Sequence, residues 1–230
     1  MRLAIIGYGL MGKLIEKIAL ERGHSVDVIF SSLSSNYETL EQVDMVIDFS
    51  HAQAVMHTVE KCIEYKKNLV IGTTGWDKDL LQVQAKVQSS SIGVLYSPNF
   101  SFGVNMFFEL VKKAASLLQE HYEVAITERH HKEKKDTPSG TALHLQELLS
   151  SQAPAISALR IGSSKGKHSV IFDSPVDMIT LTHEAKSREG YALGAIQAAE
   201  WLKGKEGFFT QADLTTATLQ NLVSRIGDDK

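Results

Sequence analysis

The first apolar run of the chain, residues 2–6, ends in Gly7-Tyr8-Gly9-Leu10-Met11-Gly12, after which Leu14, Ile15, Ile18 and Ala19 recur at helical spacing until Gly23. Strand, glycine turn and helix in that order leave few folds open. The glycines let backbone N–H groups approach a pyrophosphate at the positive end of the helix, or they serve tight packing of the turn alone. The alternation then continues. Residues 25–30, 45–50, 68–71 and 92–96 read as strands, Val55, Val59, Cys62 and Ile63 mark one face of a helix over 52–66, and a further helix spans 77–88. Strand and helix repeating through about residue 100 specify an α/β fold built on a Rossmann-type doubly wound parallel sheet.

Open parallel sheets bind ligands outside the carboxyl ends of their strands, and this chain places small and hydroxyl-bearing residues there. Gly72-Thr73-Thr74-Gly75-Trp76 follows the strand over 68–71, and Ser97-Pro98-Asn99-Phe100 follows the one over 92–96. The first of these reads equally as a simple turn. At the end of the strand over 25–30, where an acid would bind the ribose hydroxyls of NAD, stand Ser31 and Ser32. Neither a carboxylate nor an arginine is there to choose between a ribose hydroxyl and a 2′-phosphate, so NADH and NADPH are both open.

The second half changes character. A helix over 107–121, with Phe107, Leu110, Val111, Ala114, Ala115 and Leu118 toward the core, precedes a strand over 122–127. That strand delivers the segment from Glu128 to Ala142, whose two imidazoles and three ammonium groups make it either a site or a solvated charged loop. Pro138 stops a helix from running through the segment, and Ser139 is placed to cap a helix over 141–149. The free N–H groups around Gly140 and Thr141 can hold a carboxylate, or the cap can serve no ligand at all. Strands over 159–162, 168–172 and 178–183, with no long helix between them, predict a smaller α+β domain with a mixed sheet. The expected boundaries are 1–101 with 190–230 for a dinucleotide-binding domain and 102–189 for the second domain. The last stretch is expected as a helix over 190–202 and a short C-terminal segment.

A net charge of -3 and a pI near 6.3 give no basic excess for nucleic acid or an anionic membrane. No apolar run approaches the ~20 residues of a membrane span, and the first residues enter the glycine turn too soon for a signal peptide. With a single cysteine, Cys62, in an apolar helical pattern, a cytoplasmic protein is expected. Nine histidines invite a metal reading, but His130 and His131 are adjacent and no H-x-x-x-H or C-x-x-C spacing occurs, so no metal is expected. The absence of a G-x-S-x-G elbow argues against a Ser-His-Asp hydrolase.

Glu128-x-His130-His131-x-x-Lys134-x-Asp136-x-Pro138-Ser139-Gly140-Thr141-Ala142 resembles the dihydrodipicolinate reductases, also called 4-hydroxy-tetrahydrodipicolinate reductases. Gly72-Thr73-Thr74-Gly75, Asn99-Phe100-Ser101-x-Gly103-Val104-Asn105 and His183-x-Ala185-x-Ser187-Arg188 match the same family in the same order. The resemblance implies reduction of a small dicarboxylate, 4-hydroxy-tetrahydrodipicolinate, by NADH or NADPH in the diaminopimelate route of lysine biosynthesis. It also implies a homotetramer assembled through the sheet of the second domain. By the same resemblance Gly7, Tyr8, Gly9, Leu10, Met11, Gly12, Gly72, Thr73, Thr74, Ser97, Pro98, Asn99 and Phe100 line the cofactor. His130 is then proton donor or acceptor, Lys134 a proton donor, His131 a substrate contact, and Ser139, Gly140 and Thr141 the place of a substrate carboxylate. The chemistry agrees, since imidazole titrates in the range such a transfer needs and a lysine beside other cations is a better acid. The chain departs from the family pattern in a first turn one residue shorter, with Leu10 in place of an arginine, and in His51 where proline is frequent; His51 is read as exposed and without a role. Two other readings are a dehydrogenase for another small carboxylated substrate and a catalytically idle dinucleotide sensor, which would have no need of the His-His-Lys-Lys cluster.

Overall fold

The structure is a computed structural model that describes residues 1–31, 36–118, 120–149 and 154–228. In chain order its elements are β1 (Arg2–Ile6), α1 (Leu10–Glu21), β2 (Ser25–Phe30), β3 (Met45–Asp48), α2 (Val55–Glu64), β4 (Asn68–Ile71), α3 (Leu80–Gln88), β5 (Gly93–Tyr96) and α4 (Phe102–Leu118). There follow β6 (Glu123–His130), α5 (Gly140–Leu148), β7 (Ala155–Arg160), β8 (Lys167–Asp173), β9 (Met178–Glu184), α6 (Glu189–Leu202), β10 (Gly207–Thr210) and α7 (Gln211–Asp228). The chain divides into two compact units, Met1–Ser101 with Glu189–Lys230, and Phe102–Arg188.

The first unit is a six-stranded sheet in the order β10-β5-β4-β3-β1-β2, with every pairing parallel. Successive side chains of a strand point to opposite faces, and β1 serves two cores in this way. Leu3 and Ile5 join Ile15, Ile18 and Ala19 of α1 and the alanine-rich face of α6, while Ala4 and Ile6 join Val55, Val59 and Cys62 of α2 and Val83 and Val87 of α3. Both faces of the sheet are thus covered, which is why its central strands are continuously apolar rather than alternating. Each fully buried Leu or Ile contributes roughly 1.5–3 kcal/mol. Ala192, Ala195, Ala198 and Ala199 allow a close approach of α6, and Gly194 is needed there because a Cβ would collide with the Phe100 carbonyl oxygen.

The second unit is a four-stranded mixed sheet, β7-β6-β8-β9, with β6 parallel to β7 and antiparallel to β8, and β8 antiparallel to β9. One face packs on helices: Ile126, Val170 and Phe172 meet Val104, Phe107, Phe108 and Val111 of α4 and Ala142 and Leu145 of α5.

Several expectations shift. Helix α4 starts at Phe102 rather than 107 and ends at Leu118, and Leu110 is 60% exposed rather than core. Strand β6 runs three residues further than expected, so that Glu128, Arg129 and His130 are strand residues. β7 lies earlier than the run 159–162, since Gly162 at φ 59° has turned out of extended geometry. The expected short C-terminal segment is instead a sixth parallel strand, β10, and the helix α7.

Candidate active site

In the first unit the carboxyl ends of β1, β3, β4 and β5 present their loops along one edge. Strand β1 lies between β2 and β3, so the chain reverses its winding there, at the point where such sheets bind nucleotides. The three glycines of the first turn do different work. Gly7 holds φ 88°, and a Cβ on it would collide with the Phe49 carbonyl; a Cβ on Gly12 would collide with the Gly7 carbonyl. Gly9, by contrast, opens onto free space with nothing within 4 Å of a Cβ. It precedes α1 without a side-chain cap, so a pyrophosphate fits where the helix offers N–H groups and no side chain intrudes. Leu10 is 58% exposed, Met11 in the first turn of α1 packs on the core, and the Tyr8 hydroxyl donates to Glu16.

The neighbouring loops are clamped by a carboxylate that sequence reasoning left inside a strand. Asp48, fully buried, accepts through Oδ1 from the Ser50 N–H at 2.8 Å, the Ser50 hydroxyl at 2.6 Å and the Thr73 hydroxyl at 2.8 Å. Thr73 also takes the Trp76 indole N–H on its carbonyl at 2.7 Å. Gly72 is required because the Phe49 ring lies where its Cβ would be, and Thr74 stands exposed beyond it. After β5, Ser97 is buried and bonded to Asn99, while Pro98 is exposed and Phe100 is part of the core. Thr73, Ser97 and Phe100 therefore shape the edge chiefly through backbone, and Gly9, Leu10, Thr74 and Pro98 are the open positions along it. Ser31 is exposed at the end of β2; Ser32 lies outside the described residues.

In the second unit the charged segment resolves into strand, turn and helix. Ile126, Glu128 and His130 occupy alternate buried positions of β6. Glu128 Oε1 accepts from the Ser139 N–H at 3.1 Å and from Arg160 Nη2 at 2.7 Å. Its other oxygen, Oε2, lies 3.4 Å from His130 Nδ1 and 3.6 Å from His168 Nε2. Burial alone would raise the Glu128 pKa, but the hydrogen bonds from Ser139 and Arg160 outweigh it and hold the carboxyl below its ordinary range. Burial lowers the His130 pKa, opposed by the Glu128 carboxylate and assisted by Lys134 and Arg160. His168, cross-strand partner of Glu128, is pushed down to about 4 by burial and by its neighbour His130.

Ser139 caps α5, accepting from the Ala142 N–H at 3.2 Å, and its hydroxyl also lies 3.1 Å from His168 Nε2. It is 2% exposed. The N–H and hydroxyl of Ser139, expected at the substrate carboxylate, engage Glu128, Ala142 and His168. Gly140 is exposed and Thr141 half-buried at the start of α5, where first-turn N–H groups have no partner within the helix. Lys134 meets a carboxylate rather than other cations, at 2.8 and 2.9 Å from the two Asp136 oxygens. His131 follows β6 half-buried, and its carbonyl accepts the Lys134 N–H.

Sequence reasoning missed Arg160, Asp48 and His168. Arg160 bridges Glu128 and the Asp136 carbonyl, at 2.7 and 2.8 Å. For His168 the signal was present: it alternates with Val170 and Phe172, and a polar residue at a core position of a strand needs a partner. Glu128, His130 and His168 bring three donor atoms within 4.8 Å of one another, the spacing of a metal site. The Arg160 guanidinium on the same carboxylate and the nearby Lys134 charge oppose a dication, and Ser139 already engages His168. We read the triad as an acid–base cluster.

The chain matches the family "Dihydrodipicolinate reductase, N-terminus" over residues 1–100 and "Dihydrodipicolinate reductase, C-terminus" over residues 103–214. It is 37% identical to the 4-hydroxy-tetrahydrodipicolinate reductase of Christiangramia forsetii over 96% of this chain and 100% of that protein. It is also 37% identical to the protein of the same description from Thermosipho africanus, over 93% of this chain and 97% of the relative. Among solved structures, dipicolinate-bound dihydrodipicolinate reductase from Paenisporosarcina sp. TG-14 superposes with a TM-score of 0.80 at 20% identity, covering 91% of this chain and 97% of that one. By these matches along nearly its whole length, the chain belongs to the dihydrodipicolinate reductase family.

Proposed function

We propose that this chain reduces 4-hydroxy-tetrahydrodipicolinate to tetrahydrodipicolinate with NADH or NADPH, in the diaminopimelate route to lysine. The observation that carries the reading is one segment, Glu128 to Thr141, that puts a buried imidazole, an ammonium group and a helix start side by side in a chain matched to the family from end to end. A dicarboxylate requires N–H donors and local positive charge. Gly140 and Thr141 at the start of α5 offer the first, and His131 with Lys134 lies on the turn leading to them.

The loops holding Gly7 to Gly12, Gly72 to Thr74 and Ser97 to Phe100 would hold the dinucleotide. When bound, it supplies a hydride to ring C4. The net change adds a hydride and a proton and removes water, so the protein has to manage protons. His130 and Lys134 do this at C3, with Lys134 kept within reach of the turn by Asp136. Ser139 acts one step removed, fixing the turn that presents Gly140 and Thr141.

Localisation and assembly extend the proposal. Among the described residues no helix is long and apolar enough to cross a membrane, and Cys62 is buried and free, which suits a cytoplasmic enzyme. Four copies would assemble through the sheet face of the second unit opposite α4 and α5. The test of the reaction is cofactor oxidation followed by absorbance, with and without the freshly generated product of dihydrodipicolinate synthase, for NADH and NADPH separately. Substrate-dependent oxidation is expected with both. Its absence with both cofactors would refute the reductase reading.

A further inference from the structure

Glu128 is the least exposed ionisable group of the acid–base cluster, with a side chain at 0% exposure. Its strand puts it there by simple alternation, two residues before His130 on the same face. One of its oxygens is saturated: Oε1 takes the Ser139 N–H and Arg160. The other, Oε2, has no hydrogen-bond partner, and neither does His130 Nδ1, although the two lie 3.4 Å apart. A buried acceptor left unsatisfied is costly, and a donor that needs only a slight ring rotation removes the cost. His168 approaches the same oxygen, but its Nε2 has Ser139 Oγ at 3.1 Å; His130 Nδ1 has only the carboxylate.

On the opposite side of the His130 ring the chain makes room. Gly166, at φ 139°, brings its backbone so close to His130 Nε2 that a Cβ would lie 3.0 Å from that nitrogen. Glycine there leaves Nε2 unobstructed by a side chain. The charged and titratable groups around the ring are Glu128 on its own strand, Lys134 and Asp136 on the following turn, Arg160 on β7 and His168 on β8.

We propose that Glu128 is a positioning residue: it holds His130 by Nδ1–H, so that Nε2 is the nitrogen that exchanges a proton with the substrate. This rests on the role given to His130 above. The geometry is that of a carboxylate ordering an imidazole tautomer, the part played by the acid of a catalytic triad. Arg160 and the Ser139 N–H fix the carboxylate from the far side, so the imidazole rather than the acid adjusts.

The test is Glu128→Gln, which keeps an oxygen for Ser139 and Arg160 and turns the other atom into an amide donor. Nitrogen-detected NMR of the cofactor-free protein reads the tautomer directly and needs no turnover. His130 is expected as Nδ1–H in the native protein and as Nε2–H in the variant, with its titration moved to lower pH. In kinetics, kcat falls about 10- to 100-fold with the KM for the dinucleotide unchanged, the pattern of a lost proton-transfer arrangement. Glu128→Asp recovers part of kcat, and the thermal transition of each variant verifies folding. Native His130 in the Nε2–H form, or a Gln variant with native tautomer and native kcat, would overturn the inference. Failure of the reductase reading shows differently, as no substrate-dependent oxidation by the native enzyme, whatever the tautomer.

Discussion

At the scale of single residues, the roles of His130, Lys134 and Thr141 separate by kinetics. His130→Ala or Lys134→Ala deletes a proton-transfer group and is expected to lower kcat by roughly 10²–10⁴ while the fold survives; unchanged kcat in both, by steady-state assay, would refute their roles. Thr141→Val touches the start of α5 instead, and should raise KM for the dicarboxylate while leaving KM for the cofactor as it is. His168 has a different consequence, for stability. Its folded pKa of about 4 lies below the ordinary imidazole value of 6.5, so between those values the unfolded chain binds more protons. Stability is therefore complete above about pH 6.5 and declines as pH falls toward 4, by up to about 3 kcal/mol. His130 and His183, also lowered by burial, add to the same slope. Urea denaturation at a series of pH values should show this decline, and His168→Gln should flatten it.

At the scale of elements, what the sequence made legible was periodicity, and what it hid was context. β1 and β4 fall where apolar runs end at turn residues, because a strand buried on both faces is a continuous apolar run, and the edge strand β2 shows itself by alternation instead. β10, Gly207–Thr210, has no fully buried residue and no continuous aliphatic run to mark it, and it becomes a strand because β5 offers it an edge. The site divides in the same way. His130 and Lys134 stand in one continuous segment and could be read there, whereas Arg160 and His168 reach Glu128 from β7 and β8 through strand pairing. Asn68 is another residue whose work only the structure reveals. At the start of β4 its Nδ2 donates to the Leu202 and Lys205 carbonyls at 2.9 and 3.0 Å, and its Oδ1 accepts the Gly93 N–H at 2.8 Å. One side chain thus closes the end of α6, the loop to β10 and the start of β5. Asn68→Ala strands all three groups and is expected to cost about 2–3 kcal/mol; an unchanged urea midpoint would show that water replaces the amide without loss.

At the scale of the whole molecule, the sheet of the second unit carries the argument for assembly. Its helix-covered face takes Ile126, Val170 and Phe172. By alternation the opposite face runs through Ala155, Ala125, Ile171 and Thr180, which are cross-strand partners in one row, with Ser169 bonded to Thr182 in the next. Small and hydroxyl side chains make this surface flat, and Leu159 and Met178, on the same face, are 52% and 60% exposed. A flat face of small, hydroxyl and apolar side chains, bordered by the charged row Arg129, Lys167 and Glu184, has the mixed make-up of an interface with a polar rim. Ile171 is near its middle, on the inner strand β8. Ile171→Glu would bury a carboxylate without a partner in any complex formed through this face, while in a single copy it projects outward from the strand and leaves the core untouched. Sedimentation is therefore expected to show four associated copies for the native chain and a smaller species for the variant, with the circular dichroism of the two alike. A variant that sediments as the native chain would place assembly elsewhere.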